Sequence, residues 1–545
     1  MHRAFRYFLF GLAFVIVGLL VGFKIKDNSS VSRSAALDAN LKKFQQALEF
    51  IEENYVMEPD HDKLVDDAIK GIMEGLDPHS TYFSAPEMNQ MQERMEGSFD
   101  GIGIQFEIIE DTIYVVTPLA GGPSEKLGIQ SGDRIIEVDG ESVAGVGISN
   151  TDVYTYLKGP RGSEVQVKIY RNTLKEYLDF DIVRDKIPIH SVNYSYMIDE
   201  EVGFIQVSRF AETTYAEFKE HLQKLQSQGM KKLVLDLRSN PGGYMTMANK
   251  MADEFLPAGK LIVSTQGRIS HFGQQHEATA SIGSFEEGAL VILIDYSSAS
   301  ASEIVAGAVQ DHDRGIIAGV RSFGKGMVQI QEDFEDGSAI RLVISKYYTP
   351  SGRSIQKPYN KTSAEYDQEI LERFESGEIF DESKMQLSDS LTYETASGRK
   401  VYGGGGIAPD VFIPEDTTKG SAYLSQLNSK NVFRTFAFHY VDGNKNLIER
   451  YPDSKTFRKE FKLTDEIMSS FIAEGKQLDV AFNQNGYNKS SELIRTYVKA
   501  FIGRRMFGDD GFYPVYFESD EVLQEALKLF PMAEELENTG RFTER

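Results

Sequence analysis

Hydrophobic and polar positions follow different rhythms in successive parts of the chain. Between residues 36 and 95, Leu41, Phe44, Leu48, Ile51 and Tyr55, then Leu64, Ala68, Ile69 and Ile72, recur at three- and four-residue steps, which predicts amphipathic helices. Leu76-Asp77-Pro78-His79-Ser80 interrupts them. His79 invites a reading as a catalytic base, but an Asp-Pro-His-Ser run is first of all a capping turn. From about Ser98 to Arg171 the pattern turns β-rich, with alternation over Ile104–Ile108, a turn at Glu110-Asp111, a strand over Thr112–Val116 and a last strand near Val165–Tyr170. Strands and helices then alternate from about Arg184 to Glu415, as in an α/β core. An acidic, mainly helical stretch at 358–391 reads as an insertion into that core. Beyond Thr417 the chain is helical and charged, as in Ser421–Leu427, Thr464–Gly475 and Ser490–Phe507. This tail reads as a packing appendage, with a dimerising or substrate-gating domain as the alternatives.

The expected architecture is therefore multidomain α+β, too long at 545 residues for one core. Its segments are an N-terminal membrane anchor or signal peptide (1–26), a helical region (36–95), a β-rich domain (96–183), an α/β core (184–415, insertion 358–391) and a C-terminal helical domain (416–545). The first segment is the apolar run Tyr7–Phe23, preceded by Arg3 and Arg6 and closed by Lys24 and Lys26. It is at the short end of a membrane span and longer than a signal-peptide core. Ser34 and Ala36 allow only a weak cleavage site, so an uncleaved signal anchor is the expectation. The flanking charges barely orient it.

Candidate chemistry concentrates between Ala289 and Gln329. The unbroken apolar run Ala289–Ile294 predicts a buried strand, and Glu303–Val309 has helical spacing. A residue at such a strand-to-helix turn sits at a helix N-terminus, where backbone N–H groups favour negative charge. Ser297, Ser298, Ser300 and Ser302 all fall there. Ser297 and Ser298 can bond the turn backbone, and Ser302 lies inside the first helical turn. Ser300 is best placed at the junction, with the N–H of Ala301 available to an oxyanion. The same run would also serve simply as a helix cap. Lys325, between Gly324 and Gly326 and beside Phe323, Met327 and Val328, stands in apolar surroundings that disfavour its charged form. The pair suggests a Ser-Lys hydrolase. Leu233–Leu237 is a second buried strand running into Arg238-Ser239-Asn240-Pro241-Gly242-Gly243, where consecutive glycines let backbone approach a substrate carbonyl. Taken alone, this is an ordinary strand-to-helix turn.

The run Ser-Ala-Ser-Ala-Ser-Glu (298–303) followed by Gly-Val-Arg-Ser-Phe-Gly-Lys-Gly-Met-Val-Gln (319–329) resembles the active-site signature of carboxyl-terminal processing, or tail-specific, proteases. The resemblance covers about Leu41 to Pro414, outside the insertion and tail. It implies Ser300 as nucleophile, Lys325 as general base and Gln329 as the residue orienting that base; an extended Lys325–Gln329 would put 325, 327 and 329 on one face. It further implies an oxyanion hole from Gly242 or Gly243 together with Ala301. Glu303 and Asp311 match acidic positions near the family's nucleophile, and caps or salt-bridge partners are an equal reading of both. The stretch from Leu127-Gly128-Ile129-Gln130-Ser131-Gly132-Asp133-Arg134-Ile135 through Val138-Asp139-Gly140 resembles a PDZ domain. Its peptide-carboxylate loop would be Gly101-Ile102-Gly103-Ile104. Gly403–Pro409 resembles a family segment without a catalytic role.

Composition narrows the alternatives. Lys plus Arg total 58 against 82 Asp plus Glu, a net charge of −24, which argues against nucleic acid as a partner. With no cysteine there is no disulfide or thiolate chemistry, and His276-Glu277-Ala278-Thr279-Ala280 lacks the second histidine of a zinc motif. No metal or cofactor is expected. Gly319 to Lys325 matches much of a phosphate-binding loop, but Gly326 stands where Ser or Thr is needed and a strand follows. His312, as an alternative base, would have to fold back along a helix. A catalytically silent PDZ scaffold is the remaining alternative. The reading is an envelope serine endopeptidase acting on apolar C-terminal tails, anchored in the inner membrane with its catalytic body in the periplasm or otherwise extracytoplasmic. A homo-oligomer or an adaptor protein is compatible with the sequence.

Overall fold

The computed structural model describes residues 37–541 apart from 120, 173, 280, 282, 360–362 and 415. The apolar run Tyr7–Phe23 lies outside the described residues, among which no helix is long and apolar enough to cross a membrane. The chain divides after Gly75 into two units. The first carries helices α1 (37–54) and α2 (His61–Glu74); the Asp60 carboxylate accepts the Lys63 N–H at 3.0 Å and caps α2.

The second unit opens with the Asp77–Ser80 turn and strand β1 (Thr81–Phe83), inside the stretch whose periodicity points to helix. Thr-Tyr-Phe is a β-forming triplet, and an antiparallel partner fixes its state. Helix α3 (Ala85–Glu96), with a Ser84/Glu87 capping box, leads to β2 (Ser98–Gly101). The PDZ-like domain contains β3 (Ile104–Ile109), β4 (Thr112–Pro118), the single turn α4 (Pro123–Lys126), β5 (Arg134–Val138), β6 (Glu141–Ser142), α5 (Asn150–Leu157), β7 (Glu164–Arg171) and β8 (Glu176–Val183). Its sheet runs β3-β4-β5-β7-β8, leaving β3 at an edge. Asp133, from the Gly-Asp-Arg-Ile run, is buried and receives two hydrogen bonds from Arg171, at 2.8 and 2.7 Å. Strand β9 (Asp185–Pro188) returns to pair with β2, so the chain enters and leaves this domain through one two-stranded ribbon.

The α/β core follows with β10 (Val192–Met197), β11 (Val202–Val207), α6 (Thr214–Ser227), β12 (Lys232–Asp236), α7 (Met245–Asp253), β13 (Leu261–Gly267), β14 (Gln275–Glu277), β15 (Ala289–Ile294), α8 (Ala301–Asp311), β16 (Ile316–Gly319), β17 (Met327–Asp333), β18 (Ala339–Tyr348), α9 (Ser363–Ser376), β19 (Thr392–Glu394), β20 (Lys400–Tyr402) and β21 (Val411–Phe412). The main sheet has the order β10-β11-β12-β15-β16-β21 and is parallel from β11 onward. A second sheet is organised around β18, which pairs with β1, β13 and β17.

Helices α6 to α8 cover one face of the main sheet, with Phe218, Leu222, Met251 and Val305 against Ile205, Leu235 and Ile292. The other face is covered from the far end of the chain. Helices α10 (Ala422–Ser429) through α16 (Asp509–Tyr516) build their own core around Phe433, Phe457, Phe471 and Val498. Helices α17 (Glu521–Leu527) and α18 (Phe530–Thr539) instead lay Leu523, Phe530 and Leu536 on Phe204, Val234 and Val291. The expected appendage thus supplies a structural layer of the core. Every residue of β15 is buried, and each of its larger apolar side chains contributes about 1.5–3 kcal/mol relative to exposure. The turn that follows β15 therefore starts from a fixed point.

Candidate active site

Strands β12 and β15 are parallel neighbours, so their carboxyl ends deliver two turns to one place. After β15, Asp295 Oδ1 accepts the N–H groups of Ser297 and Ser298, each at 2.9 Å, while Ser298 Oγ donates to the Leu237 carbonyl at 2.8 Å. Ser302 Oγ donates to the Asn240 carbonyl at 3.0 Å. These serines hold the turn. Ser300 differs from them. It is the N-cap of α8, half-buried, with φ 51° and ψ −108°, a left-handed conformation that a non-glycine residue adopts at a cost of about 1–3 kcal/mol. The strand–turn–helix context and backward-bent residue are those of a nucleophile elbow.

The turn after β12 packs directly beneath it. Gly242 has φ +96°, and a Cβ there would stand 2.7 Å from the Ala299 oxygen, 2.8 Å from Ser300 Cβ and 2.9 Å from the Ala301 nitrogen. The Gly242 N–H donates to Asn240 Oδ1 at 2.9 Å, and the Ala299 N–H donates to the Asn240 carbonyl at 3.0 Å. Arg238, one turn upstream, is held by both Asp236 and Asp520, the latter from the cap of α17.

Lys325 lies in the loop between β16 and β17 and has no regular structure of its own. Strand β17 begins only at Met327 and shifts register between Val328 and Gln329, so simple alternation does not relate 325 to 329. The Gln329 side chain donates its Nε2 to the His79 carbonyl. The loop is tied to the Ser300 turn by Glu303, a fully buried carboxylate. Its Oε2 accepts the N–H of Ser300 at 2.8 Å and of Lys325 at 2.9 Å; its Oε1 accepts Ser322 Oγ–H at 2.6 Å and the Gly324 N–H at 2.7 Å. Burial pushes the Glu303 pKa up to about 7 against the pull of those donors. Tyr347, buried on β18, adds a second tie through its hydroxyl, 3.1 Å from the Ser300 carbonyl and 2.6 Å from the Lys325 carbonyl.

Burial, then the Arg341 guanidinium, lowers the pKa of the Lys325 amine; Glu303 and Asp77 act the other way. The insertion closes over this loop. Arg373 of α9 donates to the Ser322 carbonyl at 2.8 Å and to Glu369 at 2.6 Å; just before the insertion, Gln356 Oε1 accepts the Gly326 N–H at 2.8 Å. The Lys357 ammonium lies 4.0 Å from the Phe323 ring and 4.1 Å from the Tyr366 ring. From the glycine-rich segment, the Ile407 carbonyl accepts the Ser322 N–H at 3.0 Å and the Ile407 N–H donates to Ser322 Oγ at 2.6 Å.

Several residues fall elsewhere. Asp311 is a buried partner of Arg353 at 2.7 Å. His312 caps the opposite end of α8, about 18 Å from Ser300 by helical rise, with its Nε2 2.7 Å from the Leu261 carbonyl oxygen. The segment after Lys325 is strand, which removes the phosphate-loop geometry. Among the described residues no cluster of acidic and histidine side chains has the arrangement of a metal site. In the PDZ-like domain, the Gly101–Ile104 segment leads into edge strand β3, beside α5; Gly103 has φ +75°, the Ile102 carbonyl accepts from Ser124 Oγ at 2.7 Å, and the rings of Phe106 and Tyr154 lie 5.7 Å apart. The sequence reading missed Tyr347, Gln356, Arg373 and the part played by the Asp77–Ser80 turn. Glu303 was signalled by its spacing three residues after Ser300, a capping-box interval.

A strained serine on an α/β core, tied through Glu303 to the loop of a half-buried lysine and preceded by a PDZ-like sheet, defines a class, and sequence comparisons agree with it. Residues 201–365 match peptidase family S41 and residues 101–182 match the PDZ domain. Residues 22–86 match the N-terminal domain of the activating protease CtpB, and residues 423–508 match a family of unknown function. The carboxy-terminal processing protease CtpA of Bacillus subtilis (strain 168) is 32% identical over 433 residues, 79% of this chain and 87% of that protein. A carboxy-terminal-processing protease of Bartonella bacilliformis is 37% identical over 321 residues, 58% of this chain and 72% of its own. A solved photosystem II D1 C-terminal processing protease is 28% identical, with a TM-score of 0.32 over 58% of this chain and 85% of that one. The chain belongs to the carboxy-terminal processing protease family and is a serine-type peptidase of that kind.

Proposed function

We propose that Ser300 is the nucleophile and Lys325 the general base of this peptidase, with Gln329 orienting the base. The observation that carries the reading is the shared carboxylate of Glu303, which fixes the backbones of both residues in one buried network. Neutral Lys325 takes the Ser300 hydroxyl proton as Oγ bonds to the peptide carbonyl carbon. The resulting oxyanion is met by the N–H groups of Ala301 and Gly243; Gly243 is favoured over Gly242 because the Gly242 N–H is committed to Asn240. Protonated Lys325 then gives its proton to the amide nitrogen as the C–N bond breaks. Water hydrolyses the acyl-enzyme, with Lys325 again accepting a proton.

The substrate reading rests on the PDZ-like edge. Strand β3 is an edge of its sheet, the position at which a peptide strand adds, and the Gly101-Ile102-Gly103-Ile104 loop at its start would receive the terminal carboxylate of an apolar tail. The apolar run Tyr7–Phe23 supports membrane attachment in the cell envelope, with the peptidase body on the extracytoplasmic side. The test is cleavage by the full chain of a protein with an apolar C-terminus, free or amidated, beside Ser300→Ala and Lys325→Ala. Cleavage should disappear in both variants and weaken on amidation. Cleavage surviving Ser300→Ala would refute the nucleophile assignment.

A further inference from the structure

The Asp77–Ser80 turn is used by neither the nucleophile nor the oxyanion loop, yet its His79 carbonyl holds the Gln329 amide and its Asp77 charge reaches Lys325. We propose that this turn is a positioning element of the peptidase reaction, whose His79 carbonyl decides which end of the Gln329 amide faces Lys325. The inference rests on the reading of Lys325 as base.

The turn is closed by one side chain. Asp77 Oδ1 accepts the N–H groups of His79 at 2.8 Å and Ser80 at 2.7 Å, and Oδ2 accepts Ser80 Oγ–H at 2.7 Å. Ser80 Oγ in turn accepts the Val343 N–H at 3.1 Å. Val343 is also the cross-strand partner of Gln329. One residue of β18 therefore sets the turn and Gln329 in register. The His79 imidazole is buried, packed edge-on against Tyr366 with centroids 4.9 Å apart. Its Nε2 is 3.4 Å from the Gln356 amide nitrogen, so the neutral ring accepts there. Burial and the Lys325 charge push its pKa down to about 4, which keeps it neutral at working pH.

The chemistry explains why the amide must be held. A neutral lysine has one lone pair and two N–H groups. To aim the lone pair at Ser300 Oγ–H, an N–H needs an acceptor on another side. An amide offers an acceptor at one end and donors at the other. With Nε2 committed to the His79 carbonyl, the oxygen is the end left for the amine; without that carbonyl, the amide is free to flip and compete for the lone pair.

Arg341 of β18, Glu303 of α8 and Asp77 of the turn are the charged groups acting on Lys325, while Lys357 acts on His79. Asp77 supports the protonated amine, so removing its charge should make Lys325 easier to deprotonate. The experiment is the pH profile of kcat/KM for the full chain and for Asp77→Asn, Asp77→Ala and Lys325→Ala. Asp77→Asn should move the acidic limb to lower pH by about half a unit or more. Asp77→Ala, which opens the turn, should lower plateau kcat about 10- to 100-fold with KM within about twofold, and Asp77→Asn should restore part of that loss. An acidic limb unmoved in Asp77→Asn, together with wild-type kcat in Asp77→Ala, would overturn the positioning role while leaving the base intact. Activity retained by Lys325→Ala would instead overturn the base assignment beneath it. Asp77→Asn keeps the test decisive if Asp77→Ala fails to fold.

Discussion

The two halves of the catalytic site are built in opposite ways. The turn of the proposed nucleophile, Ser300, is carried by adjacent parallel strands, β12 and β15, and its shape is held by Asn240, Asp295 and Ser298 within the turns themselves. The loop of the proposed base, Lys325, has no regular structure and is held by segments from all over the unit: Glu303, Tyr347, Gln356, Arg373 and Ile407. Strain at Ser300 can be stored because rigid strands surround it. The lowered pKa of Lys325 belongs to no segment in particular. It arises where many remote groups exclude water together, which makes basicity a property of assembly.

The sharpest break of this comparison is Lys325→Arg. A guanidinium cannot lose its proton near neutral pH, so cleavage should fall at least about a thousandfold while the melting temperature is kept. Appreciable turnover would show that the loop does not supply the base. On the other side, Gly242→Ala would drive a methyl group into the Ser300 backbone, where the contacts of 2.7–2.9 Å include main-chain atoms that cannot yield cheaply. Its kcat should fall about a hundredfold or more with KM little changed; unchanged kcat would mean that the nucleophile turn is softer than its strands imply.

The pH dependence tests the assembled half. The proposed base works only when neutral, so activity should fall as pH drops through the lowered Lys325 pKa, approaching tenfold per unit. Glu303, pushed up to about 7, takes a proton over the same acidic side and then loses acceptor capacity toward its four donors. Losing those bonds loosens the Lys325 loop, whereas losing the Glu303 charge makes the amine easier to deprotonate and offsets part of the fall; a rate that held level into acid would contradict a lysine base. Arg373→Ala should cost about tenfold in kcat by releasing the Ser322 carbonyl and the insertion helix, a loss read directly from initial rates. The mildest effect is expected from Asp520→Ala, which leaves Arg238 paired with Asp236. It should lower unfolding free energy by about 1–3 kcal/mol with activity within about threefold, as read by denaturant titration. A large catalytic loss there would mean that the C-terminal helices tune the oxyanion loop as well as covering the sheet.

Much of this site is legible in the linear chain. The apolar run Ala289–Ile294 before a serine-rich turn specifies a buried strand feeding a helix, and the glycines after Leu237 specify a close backbone approach. Both follow from short-range rules of burial, capping and left-handed geometry, which neighbouring residues satisfy by themselves. The same holds for the alternating strands of the PDZ-like domain. His79 was visible as part of a capping turn, and Asp77 does close that turn. That the turn would meet Gln329, 250 positions away, was not visible. Nor was the use of α17 and α18 as a face of the core, because an amphipathic helix states that it will be covered without stating by what. Local backbone chemistry was written into the chain order; the environment of Lys325 came from the sheet register around β18 and the insertion packed above it, since desolvation and charge act through space and not along sequence.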